Sequence, residues 1–354
     1  EMNIRDWSSD VCSSDLRFRR PAADPLQSGH RIKTPESYRT RMDVLVTGAT
    51  GFVGSRLVPA LLAAGHDVRV LVRDATRYDA ADGVTVFEGD LLEPGSFDDA
   101  LAGADAAYYL VHSMKAGKDF EEMDRNAAAN FAAAAGDAGV ERVVYLGGLG
   151  EEGEDLSRHL QSRREVEHLL AEGSYDLTTL RAAIIIGHGS ASFDMVRQLA
   201  SRLPVMVTPR WVQNDCQPIA IDDVISYLVG VLDKPATAGR TYEIGGPDVL
   251  TYGEILRQTA DAMGRITPVI IPVPVLTPRL SSYWVGLMTD VDSGVARPLI
   301  DGLKNPVVVQ DDSIRDHLDF ELTPFMTAVE RALAARRGER DPTLEVVRET
   351  GGRA

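Results

Sequence analysis

Apolar positions alternate between two periods from Met42 onward. Short apolar runs that end at turn residues are typical of buried strands, whereas apolar residues repeated every three to four positions are typical of helices. The predicted strands cover 43–47, 67–72, 84–87, 105–111, 142–146 and 176–181, with 182–186 continuing the last one. The predicted helices cover 52–64, 97–101, 120–138 and 156–171. This alternation predicts an α/β fold with a doubly wound parallel sheet covered on both faces.

The rhythm changes after Gly187, where prolines interrupt the pattern. Helices are predicted over 222–232, 252–263 and 325–335, a strand over 241–244, and an irregular apolar stretch over 268–303. We therefore predict a first domain over 42–186 and a smaller C-terminal α/β substrate or partner region over 187–340, interleaved with the core. A polar tail over 341–354 is expected to fray.

Composition and charge narrow the class of protein. The 354 residues are 44% hydrophobic and 25% charged, which excludes a disordered chain, a collagen and a coiled coil. The net charge of −16 argues against a nucleic-acid partner. No stretch approaches the roughly 18 apolar residues of a membrane span, and no secretory apolar segment is present, so we expect a cytoplasmic protein. The two cysteines, Cys12 and Cys216, form neither a disulfide framework nor a zinc site by themselves, and no metal site is predicted.

The first 41 residues are expected to be a non-native or disordered leader. Residues 6–16 read DWSSDVCSSDL, which resembles the translation of a sequencing-adapter oligonucleotide. Residues 17–41 show neither period. We expect the natural start at Met42, one residue before the first strand.

A glycine-rich turn follows the first strand. Residues 47–54 read TGATGFVG, with glycines at Gly48, Gly51 and Gly54. Gly48 permits a tight turn, Gly51 lets backbone N–H groups approach a diphosphate, and Gly54 allows close helix packing. The helix that follows directs its unpaired N–H groups toward the phosphates. Strand, glycine turn, helix and strand in this order predict a dinucleotide-binding Rossmann unit, in which Thr47, Thr50, Phe52 and Val53 also border the cofactor.

The end of the second strand bears on the choice of cofactor. An acidic side chain there would bind the ribose hydroxyls of NAD, whereas the planar fork of Arg73 can pair with a 2′-phosphate. We therefore favour NADP and keep NAD open, because Asp74 is adjacent and because Arg73 can equally be a surface residue. Asp90 and Leu91, after the third strand, are predicted near the adenine, with a turn cap as the alternative role of Asp90.

These motifs resemble the extended and atypical short-chain dehydrogenase/reductase superfamily. The resemblance rests on TGATGFVG, on GDL at 89–91, on VVYL at 143–146, on QPI at 217–219 and on YEIGGP at 242–247, and it spans residues 42 to about 335. The segment YYLVHSM at 108–114 is similar to an atypical branch with NmrA-like proteins and complex I 39-kDa-type accessory subunits. The resemblance implies NAD(P) binding. Leu110, His112 and Leu146 are predicted beside the cofactor, and His112, which follows the fourth strand at the edge where ligands collect in such sheets, is a candidate to contact the cofactor ribose or the substrate. A structural histidine is the alternative role of His112.

The chain departs from the superfamily at the catalytic pair. Members normally carry Tyr-x-x-x-Lys on the helix after the fifth strand, where the tyrosine transfers the proton and the lysine holds the nicotinamide ribose. Here the matching positions are His159 and Arg163, and the upstream serine position is Gly147-Gly148. His159 can titrate near neutral pH and Arg163 can bind ribose, but both can also be residues without a proton-transfer role.

Three functions follow as hypotheses. The first is an NAD(P)(H)-dependent oxidoreductase acting on a quinone or carbonyl compound, and the second is a non-catalytic NADP-binding redox sensor or accessory factor with a protein partner. Nucleotide-sugar epimerase or dehydratase chemistry is third, because it depends on the missing pair. Candidates for a substrate cleft, with core packing as the alternative, are Trp211, Gln217 and the Tyr283-Trp284 pair. Residues 187–189 are predicted to form a loop on the substrate side, and Cys216 is predicted to be a packed thiol. A helical pattern over 277–287 is interpreted as a core helix, with peripheral membrane contact as the alternative.

Overall fold

A computed structural model describes residues 41–112, 120–150, 158–202, 205–273 and 305–338. The helix pattern at 277–287, the Tyr283-Trp284 pair, the tail over 341–354 and the leader up to residue 40 lie outside the described residues. Within these ranges, no helix is long and apolar enough to cross a membrane.

Strands and helices alternate through the first half, as the pattern predicts. The strands of the first half are β1 (Asp43–Thr47), β2 (Asp67–Val72), β3 (Val84–Glu88), β4 (Ala106–Tyr109), β5 (Arg142–Gly148), β6 (Asp176–Ala182) and β7 (Ile185–Ile186). The helices are α1 (Gly54–Ala64), α2 (Asp98–Leu101), α3 (Phe120–Asp137) and α4 (Arg158–Leu170). Helix α1 begins two residues later than predicted, because residues 52 and 53 belong to the glycine turn.

The second half mixes short strands with helices. Its strands are β8 (Val205–Pro209), β9 (Asp215–Cys216), β10 (Ile219–Ala220), β11 (Thr241–Ile244), β12 (Leu250–Thr251) and β13 (Val269–Val273). Its helices are α5 (Ala191–Arg202), α6 (Ile221–Leu232), α7 (Tyr252–Ala262) and α8 (Phe325–Arg336).

Seven parallel strands form the central sheet in the order β11-β6-β5-β4-β1-β2-β3. The predicted doubly wound α/β architecture is therefore confirmed. Successive residues of a strand point to opposite faces, so Val44 and Val46 pack with helices α1 and α6, whereas Leu45 packs with α2, α3 and α4. A third apolar cluster joins α5, α7 and α8 in the C-terminal region.

Two strand predictions are wrong. The sixth strand ends at Ala182 and does not continue through residue 186. The Ile184 carbonyl accepts from the Ile219 N–H, and β7 pairs with β10 in a separate two-stranded sheet. Residues 269–273, predicted to be irregular, form β13 parallel to β8. The proline in this strand is tolerated because a two-stranded sheet has only edge strands, which can lack a donor on one side.

Carboxylates anchor the C-terminal region to the core. The buried carboxylate of Asp223, at the start of α6, accepts from the backbone N–H and the hydroxyl of Thr323, at 2.8 and 2.9 Å. Asp248 accepts from the N–H of Phe325, the first residue of α8, at 2.7 Å. The anchors fix α8 against the small sheet of β7 and β10, beside the loop that follows β7.

Candidate cofactor site

The glycine turn lies at the carboxyl end of β1, near the centre of the sheet. Gly48 has a φ of +71°, and a Cβ there would lie 2.7 Å from the Leu110 carbonyl oxygen. A Cβ on Gly54 would lie 2.3 Å from the Gly48 carbonyl oxygen and 2.8 Å from the Ala49 Cα. Both positions therefore exclude a side chain. At Gly48 the reason is the backbone of Leu110, just after β4, and at Gly54 the reason is that the first turn of α1 lies directly on the glycine turn.

The N–H groups of Ser55 and Arg56, in the first turn of α1, donate to the carbonyls of Gly51 and Val53, both at 3.0 Å, so an anion at this helix end would bind the N–H groups of residues 52–54. Val53, at the N-cap position, makes no side-chain capping bond, and the first turn contains no acidic residue. Thr50, Gly51 and Ser55 are exposed beside it. An uncapped helix start next to a glycine-rich bend fits a dinucleotide diphosphate, which supplies the negative charge that this helix end favours.

Arg73 and Asp74 have different surroundings at the end of β2. The Asp74 carboxylate accepts from the N–H and the hydroxyl of Thr76, at 3.1 and 2.6 Å, and thereby caps a short 3-10 helix over Ala75–Arg77. Arg73 is exposed and makes no side-chain hydrogen bond or ion pair with the residues that the structure describes. Arg77, which sequence reasoning missed, is also exposed on this turn. At this corner Oδ1 of the Asp74 carboxylate is thus engaged, whereas both arginines are exposed.

Asp90 closes a local turn after β3. The Asp90 carboxylate accepts from the Leu92 N–H at 3.0 Å. The Ser96 hydroxyl accepts from the backbone N–H of Asp90 and donates to the backbone carbonyl of Asp90. Leu91 is buried, and its carbonyl accepts from the Asn130 side chain at 2.8 Å. The turn-cap alternative therefore describes the carboxylate of Asp90, and the predicted adenine contacts of both residues stay predictions.

Thr47 links β1 to β4 at the edge where the turn begins. Its hydroxyl donates to the Tyr108 carbonyl at 3.0 Å and accepts from the Leu110 N–H at 3.2 Å. Thr47 is buried, so it shapes the floor of the turn, and the Leu110 backbone lies directly against Gly48.

His112, at the carboxyl end of β4, is paired with a buried carboxylate. Its Nδ1 lies 2.6 Å from Oδ2 of Asp124 on α3, and the side chains are 16% and 2% exposed, respectively. Burial lowers the pKa of His112 below its usual 6.5, and the nearby Arg163 guanidinium lowers it further, against the opposing effect of Asp124. This pairing gives His112 a structural role and leaves its predicted cofactor contact untested.

Arg163 lies at the carboxyl end of β5. Its guanidinium donates to the Leu146 carbonyl and sits 4.8 Å from the centroid of the Tyr145 ring, while the Tyr145 hydroxyl donates to the Arg163 carbonyl at 3.1 Å. Burial raises the pKa of Tyr145 to about 12. The structure therefore brings Arg163, Leu146 and His112 together at one edge of the sheet.

The remaining catalytic positions lie on α4 and β5. His159 is the second residue of α4, one helical turn before Arg163; its side chain lies outside the described residues. At the position of the usual serine, a Cβ on Gly148 would lie 2.8 Å from Cδ2 of Leu160. The side chain of an α4 leucine thus occupies the space next to the missing serine.

The other candidates are mainly packing residues. Trp211 contacts the Tyr252 ring edge to face, with centroids 6.0 Å apart, in the C-terminal apolar cluster. Gln217 donates to the Gly246 carbonyl and accepts from the Val309 N–H, so it ties three loops together. Burial raises the pKa of the Cys216 thiol to about 11. Among the described residues, no group of three or more His, Cys, Asp or Glu side chains could hold a metal ion.

Sequence reasoning also missed Asp124 and Arg56 at this edge. Asp124 lies 12 positions from His112 on another element, and no local motif connects them. Arg56 donates to the carbonyls of Phe52 and His188, the latter 132 positions away. The signal for Asp124 is that it is a charged residue on the otherwise apolar buried stripe of α3. Arg56 is not among the buried residues of α1, and no pattern in the sequence marks it.

Comparisons with known proteins identify the class of cofactor as NAD(P)H. The NAD(P)H-binding domain family matches residues 48–196. The chain is 31% identical over 231 residues to a (4-alkanoyl-5-oxo-2,5-dihydrofuran-3-yl)methyl phosphate reductase of Streptomyces griseus, covering 63% of this chain and 74% of the relative. It is 26% identical over 261 residues to the mitochondrial NADH dehydrogenase [ubiquinone] 1 alpha subcomplex subunit 9 of Dictyostelium discoideum, covering 70% of each.

A solved structure shows the same fold. Triphenylmethane reductase of Citrobacter sp., complexed with NADP(H), aligns with a TM-score of 0.67 at 21% identity, over 82% of this chain and 99% of that one. The glycine turn, the parallel sheet and these relatives together show that the chain belongs to the NAD(P)H-binding, extended and atypical short-chain dehydrogenase/reductase superfamily.

Proposed function

We propose that this protein is an NADP(H)-dependent reductase of a small carbonyl or quinone compound. The observation that carries the proposal is the position of the glycine turn, which opens onto the same carboxyl edge of the sheet as His112 and Arg163. In open α/β sheets this edge is where ligands bind. Bound there, the nicotinamide would supply hydride to the substrate. The relatives named as reductases support this class of reaction.

Asp74 and Arg73 favour NADP over NAD. A carboxylate that binds NAD must accept from both ribose hydroxyls, but one oxygen of the Asp74 carboxylate, Oδ1, already accepts two hydrogen bonds from Thr76. The exposed guanidinium groups of Arg73 and Arg77 can pair with a 2′-phosphate, and Arg offers the planar fork suited to it.

Arg163 and His159 are the residues proposed for the nicotinamide side. They are spaced i, i+4 on α4, so they share one helical face. Arg163 keeps a positive charge at the carboxyl end of β5, where it can hold a ribose hydroxyl, and His159 is proposed to hold the proton that the substrate oxygen takes up.

The cofactor preference is tested by calorimetric titration of Arg73→Gln with NADPH and NADH. Loss of one charge-assisted pair is expected to weaken NADPH binding about 10-fold and to leave NADH binding within about 2-fold of wild type. Arg265→Gln serves as the control, because Arg265 is also exposed and lies in the distant loop after α7. Equal binding of NADPH by wild type and Arg73→Gln would remove Arg73 from this role.

Turnover is tested with menadione and para-nitrobenzaldehyde as probes, following the oxidation of NADPH. Wild type is expected to oxidise NADPH with at least one probe, and His159→Ala is expected to slow that reaction about 100-fold at unchanged cofactor affinity. Unchanged turnover in His159→Ala would assign the proton to another group.

A non-catalytic NADP-binding accessory protein is the second candidate. It is favoured by the glycines at 147 and 148 in place of the usual serine and by the similarity to a complex I subunit. Tight NADPH binding without turnover of either probe would select it over the reductase. For either function we propose a cytoplasmic location, which is supported by the buried, unpaired thiol of Cys216.

A further inference from the structure

Arg56, on the first turn of α1, bridges the glycine turn and the loop that follows β7. Its Nη1 donates to the Phe52 carbonyl at 2.7 Å, and its Nη2 donates to the His188 carbonyl at 2.8 Å. The guanidinium carbon also lies 4.7 Å from the centroid of the Phe52 ring. One side chain therefore contacts both segments and stacks on the aromatic residue between Gly51 and Gly54.

The loop backbone packs directly against the same ring. A Cβ on Gly187 would lie 2.9 Å from Cζ of Phe52 and 2.8 Å from Cγ2 of Ile221, so no side chain fits there. Phe52 is thus held between Arg56 and the loop over 187–189. The glycine turn and this loop consequently form two joined walls at the carboxyl edge of the sheet.

The space behind this contact is too small for a substrate. A cavity of about 10 Å³ is lined by Arg56, His188, Asp222 and Arg331, among others. This volume holds at most a single water molecule. Asp222 and Arg331 pair across it at 2.8 Å. Arg56 therefore acts on the cofactor site through backbone carbonyls and the Phe52 ring, and it does not act by binding substrate in this cavity.

We propose that Arg56 is a positioning residue that holds the glycine turn and the 187–189 loop together, so that the diphosphate and nicotinamide half of NADP(H) enters a preformed cleft. The proposal rests on the cofactor binding proposed above. Without Arg56, the two walls would have to be ordered when the cofactor binds, and that ordering lowers affinity. The adenosine half would bind at the ends of β2 and β3, where none of the contacts described for Arg56 lies, so its binding is expected to be independent of Arg56.

The test compares two ligands by calorimetry: NADP⁺, and adenosine 2′-phosphate, which lacks both the diphosphate and the nicotinamide half. Arg56→Met is expected to weaken NADP⁺ binding about 10-fold and adenosine 2′-phosphate binding less than about 2-fold. Arg56→Lys keeps the charge but cannot reach both carbonyls, so an intermediate loss of about 3-fold is expected. Arg265→Met is the control for removal of an arginine, and it should change neither affinity.

Two outcomes would overturn the proposal. Equal weakening of both ligands in Arg56→Met would show a general loss of structure, and unchanged NADP⁺ binding would show that the contact is dispensable. If Arg56→Met does not fold, Gly187→Ala displaces the loop from Phe52 while leaving Arg56 intact, and the same selective loss of NADP⁺ binding is expected. Failure of wild type to bind either ligand would instead refute the proposed function itself.

Discussion

Gly54→Ala is the sharpest test of the cofactor site, because the added methyl group meets only backbone atoms. The new Cβ would lie 2.3 Å from the Gly48 carbonyl oxygen, 2.8 Å from the Ala49 Cα and 2.9 Å from the Gly48 carbonyl carbon. Ordinary contacts begin near 3.4 Å, so the turn and the helix must separate by about 1 Å. No rotation of a side chain can relieve this overlap.

The separation is expected to affect both stability and binding. Overpacking of this kind costs about 1–3 kcal/mol of unfolding free energy, which corresponds to a fall in melting temperature of about 3–10 °C for a domain of this size. A shift of about 1 Å at the glycine turn also misplaces the N–H groups that face the diphosphate, so we expect NADPH binding to weaken more than 10-fold.

Thermal unfolding without ligand and calorimetric titration with NADPH measure the two effects separately. Gly253→Ala is the matched control, because Gly253 lies in the first turn of α7 and its nearest atom would be 3.5 Å from the new Cβ. Gly51→Ala is an intermediate case, with a single contact at 3.1 Å. A Gly54→Ala protein that melts and binds NADPH as Gly253→Ala does would refute the assignment of this turn.

Two further predictions concern titration and anchoring. The pKa of His112 is lowered in the folded protein, so the unfolded chain binds a proton at this residue first as the pH falls through the ordinary value of 6.5. The free energy of unfolding should therefore decrease below pH 6.5, and it should decrease less steeply in His112→Gln. Parallel pH dependences in denaturant titrations of the two proteins would contradict this. Asp248→Ala removes the carboxylate at the start of α8, so we expect it to lower the free energy of unfolding by about 1–2 kcal/mol and to speed hydrogen exchange in 325–336. Asp248→Asn should have a smaller effect, because it retains an acceptor. Unchanged exchange in α8 would show that the bond is not an anchor.

Local patterns in the sequence were enough for the fold class and the cofactor turn. The strands Asp43–Thr47, Asp67–Val72 and Thr241–Ile244 have the predicted bounds, because each carries apolar residues at successive or alternate positions and ends at turn residues. The glycine spacing was equally informative, since Gly48 and Gly54 meet backbone atoms of nearby residues or of the adjacent strand. Such features depend on residues close in the chain, and a linear pattern records them directly.

Partnerships between distant residues were decided by the tertiary structure. The Asp74 carboxylate is engaged by a turn that no pattern indicated, His112 pairs with a buried carboxylate on the next helix, and Arg56 reaches a loop 132 positions away. The chain leaves the sheet after Ala182 for a similar reason, because Ile219 provides the hydrogen-bond partner of Ile184. Each outcome depends on which backbone and side-chain groups meet once the sheet has formed. Periodicity along the chain indicates which residues are buried, but it does not indicate which other residue each of them contacts.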